Sequence, residues 1–169
     1  MNVLVAYASK HGATQGIAEA IAEQLRVRGI SADAVPADAD TDLGAAEAVV
    51  LGSAIYAGSW RDEAVEFARV NKDVLVAMPV WLFSSGPLGE QVEDEEEQPR
   101  QLEELGRDLQ PNEHQIFFGA LDRTKLGFGE RMMVKAVKAP DGDFRDWEAI
   151  RAWADQIAAA LELGGDPEV

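Results

Sequence analysis

Residues 9–14 (SKHGAT) combine donor groups at a spacing that suits the binding of an anion. They follow an apolar run at residues 3–8 and precede apolar residues at helical spacing, which predicts a strand, a short loop and a helix start. The first backbone N–H groups of a helix have no partner within it and lie at the positive end of its dipole. Ser9 and Thr14 add hydroxyl donors, and Gly12 lets the backbone approach an anion closely. The loop therefore predicts a phosphate site.

The spacing of glycine and lysine limits how much phosphate this loop can hold. Neither Walker A spacing nor a GxGxxG fingerprint is present, because no second and third glycine occur and Lys10 comes too early to reach a β- or γ-phosphate. We therefore expect a single monophosphate. An ordinary strand-to-helix turn with Thr14 as N-cap is the alternative that the loop alone leaves open.

The loop resembles the FMN-phosphate loop of flavodoxins, which is usually written S/T-x-T/H-G-x-T. The resemblance implies FMN, and not FAD, as the cofactor. It also implies an α/β flavodoxin-like fold, a doubly wound sheet of five parallel strands in the order 2-1-3-4-5 with helices on both faces. The implied phosphate-loop residues are Ser9, Lys10, His11, Gly12, Ala13 and Thr14.

Composition limits the chemistry that the chain can perform without a cofactor. Its 169 residues, 47% of them hydrophobic, suit one domain, which we place at residues 1–163 with a tail at 164–169. There is no cysteine, and the only histidines are His11 and His114, so we expect neither thiol chemistry nor a metal site. The absence of a signal-like N-terminus and of an apolar run of ~20 residues predicts a cytoplasmic protein without an integral membrane segment.

The net charge of −16 bears on the partners of the protein. Such a charge disfavours binding to nucleic acid and anionic membranes, and it favours solubility or a cationic docking partner. A general acidic bias of the proteome, as in salt-adapted organisms, is the alternative explanation. The acidic run at residues 90–99 is predicted to be a solvated segment without a catalytic role.

The rest of the chain alternates predicted strands and helices. We predict strands at 30–35, 48–52, 73–81 and 114–119, and helices at 60–71, 101–109 and after a turn at 141–143. This alternation predicts a doubly wound parallel sheet. In such a sheet the carboxyl ends of neighbouring strands meet at one crevice, where ligands bind.

Two further loops of mostly small residues follow predicted strands and complete the crevice. They contain Ser53, Ala54, Ile55, Tyr56, Ala57 and Gly58, and then Phe83, Ser84, Ser85 and Gly86. Their backbone groups and hydroxyls suit the polar edge of an isoalloxazine ring, and a carbonyl at Gly58 could bond a protonated flavin N5. Tyr56, Trp60, Trp81 and Phe83 are candidates for stacking on the ring, with core packing as the alternative. We expect Trp81 and Phe83 to face opposite sides.

Three further segments widen the resemblance. They are FGALD (118–122), GERMMVK (129–135) and DWE (146–148), and they are similar to bacterial menaquinone-dependent protoporphyrinogen dehydrogenases, a flavodoxin-like family. The similarity spans most of the chain. It implies that FMN, bound by the three loops, takes hydride equivalents from a porphyrinogen and passes them to a quinone. The acidic run replaces a longer, more basic insertion of that family, and Tyr56 replaces its usual arginine.

Two functions remain open at this point. One is an FMN-dependent dehydrogenase acting on a quinone or a porphyrinogen-like small molecule, and the other is a flavodoxin that carries electrons between redox partner proteins. The three loops contain no Asp, Glu or Cys, so we assign the chemistry to the flavin and no catalytic side chain to the protein. A receiver domain is excluded because residues 52–53 and 119–120 lack the required Asp and Lys, and a serine hydrolase because GxSxG is absent.

A basic stretch at residues 123–138 bears on this choice. It contains five basic residues against the single acidic Glu130, and from Gly129 onward it predicts an amphipathic helix. Its basic residues are Arg123, Lys125, Arg131, Lys135 and Lys138. A role in attracting an anionic substrate favours the dehydrogenase, whereas simple packing on the sheet is the alternative. The acidic surface elsewhere favours the carrier.

Overall fold

A parallel β-sheet with helices on both faces forms the body of the protein. The structure is a computed structural model that describes residues 1–86, 100–136 and 142–164. The acidic run at 90–99 and residues 165–169 of the predicted tail lie outside the described residues. Among the described helices, none combines the length and the apolarity that crossing a bilayer requires.

Strands and helices alternate along most of the chain, but residues 37–47, between the second and third strands, form no helix. The strands are β1 (Asn2–Ala8), β2 (Ser31–Pro36), β3 (Ala48–Tyr56), β4 (Ser59–Trp60), β5 (Val80–Ser85), β6 (Glu113–Phe117), β7 (Ala120–Leu121) and β8 (Gly142–Asp143). The helices are α1 (Ala13–Val27), α2 (Asp62–Val70), α3 (Lys72–Leu75), α4 (Arg100–Leu109), α5 (Phe128–Ala136) and α6 (Trp147–Gly164). A 3-10 turn covers Arg123–Lys125.

The order of the five long strands confirms the predicted topology. They lie in the order β2-β1-β3-β5-β6, and all of their pairings are parallel. Strand β4 adds a short antiparallel hairpin to β3, while β7 and β8 pair separately. If the short strand β4 is left out and the five long strands are numbered along the chain, β5 and β6 become strands 4 and 5. The order is then 2-1-3-4-5, as in the flavodoxin-like fold.

The predicted strand at 73–81 is wrong in its position. Residues Lys72–Leu75 form helix α3, and the strand begins only at Val80. The apolar residues of 74–78 misled the prediction, because Val74 and Val76 are exposed, while Leu75 is buried in the core and Met78 packs partly buried against it. As a result, Phe83, Ser84 and Ser85 belong to strand β5 and not to the loop after it.

Three other predicted boundaries also shift. Residues 53–56 extend strand β3, since their backbone pairs with β4 and β5, and Trp60 lies in β4 instead of opening a helix. The predicted turn at 141–143 includes β8, and the last helix starts at Trp147. In each case, pairing with another segment holds in a strand residues that the local pattern assigned to a loop, a helix or a turn.

Two hydrophobic layers enclose the sheet. Helices α1 and α6 cover one face, where the rings of Phe83, Phe117 and Trp153 pack at centroid distances of 5.6–6.3 Å. Helices α2, α3 and α4 cover the other face. Trp81 lies in the same layer as Phe83. The expectation that they face opposite sides is therefore wrong, because residues two apart in a strand share a face.

The Phe83 ring lies directly over the backbone of Gly52 in β3, where a Cβ would fall 2.0 Å from a ring carbon. We expect Gly52→Ala to lower the free energy of unfolding by about 1–3 kcal/mol or more, because the aromatic cluster would have to shift. Urea denaturation measures the change. Gly106→Ala in α4, where a Cβ meets nothing within 4 Å, is the matched control, and we expect it to be neutral or stabilising by about 0.5–1 kcal/mol. Equal stability of Gly52→Ala and the wild type would contradict the packing described.

Candidate functional site

The strand register brings the three predicted loops to one edge of the sheet. Ala8 at the end of β1 pairs with Ser53 of β3, which pairs in turn with Ser84 of β5. The three strands are adjacent and parallel, so the chain leaves them side by side. The phosphate loop after β1, the β3–β4 hairpin and Gly86 after β5 therefore border one crevice.

Gly12, and not Thr14, occupies the N-cap position of helix α1. Its φ of 90° and ψ of −7° place it in the left-handed region, which glycine adopts without a steric penalty. Its N–H donates to Oγ of Ser9 over 3.0 Å, which fixes the curl of the loop. The alternative of a turn capped by the Thr14 side chain is therefore wrong. The N–H groups of Ala13 and Thr14 open the helix and have no carbonyl within it to bond.

The hydroxyl of Thr14 is buried without a partner. The residue is 1% exposed, and its Oγ1 makes no hydrogen bond within the described part of the chain. An unsatisfied buried hydroxyl costs about 1–3 kcal/mol. A phosphate oxygen at the start of α1 would accept from this hydroxyl and from the neighbouring N–H groups together, so the residues present fit a phosphate group.

A carboxylate from helix α5 joins the two basic side chains of the phosphate loop. Glu130 lies 2.5 Å from Nζ of Lys10 and 2.7 Å from Nε2 of His11. Its hydrogen bond with Lys10, followed by that with His11, lowers the pKa of Glu130 and keeps it ionised. The Lys10 ammonium also lies 4.5 Å from the centre of the Tyr56 ring, a cation–π contact that joins the phosphate loop to the β3–β4 hairpin.

Arg145, just after strand β8, contacts the same loop. Its guanidinium forms a two-pronged ion pair with Asp143, at 2.6 and 2.9 Å, and Nη1 donates to the carbonyl of Ala13 over 3.3 Å. It also stacks on the Trp147 ring. Arg145 and Glu130 thus both contact the phosphate loop, and both lie more than 100 residues away from it in the sequence.

The β3–β4 hairpin turns through Ala57 and Gly58, both with positive φ, at 50° and 73°. Two left-handed residues in a two-residue connection are typical of a type I′ turn. Two serine hydroxyls hold the hairpin to the sheet: Ser53 Oγ accepts from the N–H of Arg61, and Ser84 Oγ accepts from the Trp60 indole N–H. These hydroxyls are thus engaged within the protein.

Of the four aromatic candidates, three lie in the core. Trp60, Trp81 and Phe83 are buried, which favours the core-packing alternative for these three candidates. Tyr56 is only partly buried and stays available at the hairpin. Ser85 is buried at the end of β5, and the N–H of Gly86 donates to the carbonyl of Phe117 over 2.9 Å.

Three residues that sequence reasoning did not place at this edge are part of its structure. Glu130 stood out only as the single acidic residue in a basic stretch, and nothing local pointed to Arg145. His114 on β6 bonds the Ser84 hydroxyl through Nε2 over 2.9 Å, which extends the chain of hydrogen bonds from Trp60 toward the sheet edge. Burial lowers the pKa of His114, so the neutral ring that accepts from Ser84 is favoured.

Comparison with known proteins agrees with this geometry. Residues 4–147 match the family model described as the flavodoxin domain. A curated relative is the Protoporphyrinogen IX dehydrogenase [quinone] of Escherichia coli K12, 23% identical, with 94% of this chain and 95% of the relative covered. Similar solved structures are oxidised Flavodoxin 2 from Bacillus cereus (TM-score 0.63, 21% identity, 96% and 99% coverage) and a point mutant of flavodoxin from Pseudomonas aeruginosa (TM-score 0.60, 20% identity, 96% and 99% coverage).

Protonation of His114 should destabilise the fold. Its folded pKa lies below the unfolded value of about 6.5, so the unfolded chain binds more protons as the pH falls below that value. The contribution of His114 to the free energy of unfolding is then fully present above about pH 6.5. It is lost as the pH decreases, until the ring in the folded protein is also protonated. We expect the stability advantage of the wild type over His114→Gln, measured by urea denaturation, to shrink between about pH 7 and pH 5. A difference that does not depend on pH would contradict this role.

Proposed function

Because the chain belongs to the flavodoxin domain family, we propose that it is an FMN oxidoreductase that transfers electrons between a small organic donor and a quinone. Membership of the family confirms FMN as the cofactor and a flavodoxin-type oxidoreductase as the class of protein. The donor, the acceptor and the residues that hold the cofactor are parts of the proposal.

The buried, unpartnered hydroxyl of Thr14 is the observation that supports the cofactor site best. In the proposal, the FMN phosphate accepts from this hydroxyl and from backbone N–H groups of residues 9–14 at the start of α1. A single left-handed Gly12 and the short loop suit one phosphate and leave no glycine cluster for a pyrophosphate. Ser9 accepts from the Gly12 N–H through Oγ, which fixes the loop, and its own O–H is proposed to donate to the phosphate.

The ring is proposed to lie between the β3–β4 hairpin and the end of β5. Tyr56, held under the Lys10 ammonium, is the aromatic face on the hairpin side. Since the hydroxyls of Ser53 and Ser84 are engaged within the protein, the polar contacts to the ring come from backbone groups of residues 54–58 and 85–86. The side chain of Phe83 supports these segments from the core.

FMN supplies the electron-transfer chemistry when it is bound, and the protein orients it. No Asp, Glu or Cys lies in the three loops, and the side chain of His11 faces Glu130 through Nε2, at the phosphate end of the proposed site. The role of the protein is then to position the cofactor and to set the electrostatics around it.

The similarity to a protoporphyrinogen IX dehydrogenase with quinone specificity supports a dehydrogenase. Helix α5 adds to this, since Arg131 and Lys135 are exposed on a helix whose Glu130 contacts the phosphate loop. Lys138 and Val137 of the predicted amphipathic helix lie outside the described residues. A porphyrinogen with propionate groups is an anionic substrate that these cations would attract.

A carrier flavodoxin is the second candidate. The net charge of −16 favours it, because an acidic surface suits docking to a cationic redox partner protein. The similarity in fold to flavodoxins fits either function.

Replacing Thr14 by valine tests the cofactor site, because the change removes only the hydroxyl. We expect FMN to bind more weakly by about 1–2 kcal/mol, the scale of a hydrogen bond to a charged group. Riboflavin, which lacks the phosphate, should bind with unchanged affinity, and the cofactor-free variant should be more stable than the wild type. Thr14→Ser is the matched control that keeps the hydroxyl. Flavin fluorescence quenching measures the affinities, and an equal loss for FMN and riboflavin would remove Thr14 from the phosphate site.

Anaerobic turnover of a porphyrinogen with menaquinone tests the substrate. We expect Arg131→Gln/Lys135→Gln to lower kcat/KM for the porphyrinogen by about tenfold at low salt and to flatten its salt dependence, because electrostatic attraction is screened by ions. Reduction of a neutral quinone by the pre-reduced protein should not change. Arg69→Gln/Arg107→Gln, which removes two charges from α2 and α4, is the matched control. A wild type that turns over neither substrate but exchanges electrons with a cationic protein would support the carrier.

A further inference from the structure

Helix α5 projects most of its described side chains into solvent. Phe128 is 84% exposed and Met132 56%, and Arg131 and Lys135 are also exposed. Glu130 differs from the other described side chains of this helix, because its side chain is only 19% exposed. A helix of nine residues is unstable by itself and depends on the contacts that fix it to the body of the protein.

The contacts of Glu130 are both made to residues of the phosphate loop. One carboxylate oxygen contacts Nζ of Lys10, and the other contacts Nε2 of His11. Glu130 and His11 are 119 residues apart in the sequence. Glu130 therefore fixes helix α5 to the loop that is proposed to bind the FMN phosphate.

The phosphate and Glu130 use different groups of this loop. Backbone N–H groups at the start of α1 and the Thr14 hydroxyl face the proposed phosphate, while the side chains of Lys10 and His11 face Glu130. Neither contact has to be broken for the other to form. Both contacts depend on the same backbone conformation of the loop. Once the phosphate or Glu130 has ordered that backbone, the second contact therefore forms with a smaller loss of conformational entropy.

We propose that Glu130 is a positioning residue that couples phosphate binding in this loop to the docking of helix α5. The inference rests on the proposed cofactor site. Coupling between two sites is reciprocal, so Glu130 strengthens the binding of FMN and FMN strengthens the attachment of α5. A protein with bound FMN would then hold Arg131 and Lys135 in a fixed position beside the cofactor.

Removing the charge of Glu130 separates this role from a simple electrostatic one. An anion that merely lies near the phosphate repels it, so in that case Glu130→Gln would tighten FMN binding. If Glu130 positions the loop, Glu130→Gln weakens FMN binding by about tenfold, a typical size for coupling between sites. Riboflavin affinity should stay the same, which a general loss of structure would not allow. Glu104→Gln on α4 is the charge-matched control, and thermal melts compare the folding of the variants.

Hydrogen exchange of the α5 amides gives the reciprocal measurement. We expect FMN, but not riboflavin, to slow exchange in residues 128–136 of the wild type, and we expect this difference to disappear in Glu130→Gln. Tighter FMN binding in the variant, or α5 exchange that FMN does not change, would overturn the coupling. If the wild type bound FMN and riboflavin equally, the phosphate site itself would be wrong, and this outcome is distinct from a failure of the coupling alone.

Discussion

The start of helix α1, just after strand β1, has backbone N–H groups that the helix itself cannot bond, and much of the site is arranged around them. A helix cannot satisfy its first N–H groups internally. Here Gly12 turns the chain into the helix with a left-handed conformation, and the Thr14 hydroxyl adds a further unsatisfied donor inside the protein. Such a cluster of donors favours an anionic acceptor, and a phosphate would provide several oxygens at once.

The parallel sheet places the rest of the site around these donors. Register between β1, β3 and β5 is specified because both faces of the sheet are buried, so that a slip by one residue would turn core side chains toward the wrong layer. The same register aligns the three strand ends. The Ser53 and Ser84 hydroxyls near those ends bind the β3–β4 hairpin to the sheet. The backbone N–H and C=O groups of the hairpin are thus held in a defined conformation.

Electrostatic contacts between distant segments complete the arrangement. The protein is strongly acidic, yet Lys10, His11 and Arg145 lie together around the phosphate loop, each paired with a carboxylate from the C-terminal third of the chain. These paired basic side chains keep the loop in place without a large excess of positive charge. Partly exposed pairs of this kind contribute little to stability individually, so we regard their effect as one of position.

The sequence by itself determined the features that depend on neighbouring residues. The apolar run of β1, the helical spacing of α1 and the donors of residues 9–14 are local, and so is the alternation of strands and helices that predicts a doubly wound sheet. Motif resemblance added FMN and the strand order, which family membership and the structure confirm.

Only the tertiary structure decided the contacts between remote side chains. Ser53 and Ser84 have the composition of a loop, but the sheet register turns their hydroxyls inward. Trp60, Trp81 and Phe83 could have faced a ligand, and the packing of helices on both faces buried them instead. Glu130 and Arg145 reach the phosphate loop across 119 and 132 residues. No local pattern encodes such a contact, because it depends on how the whole chain packs, and not on the spacing of adjacent residues.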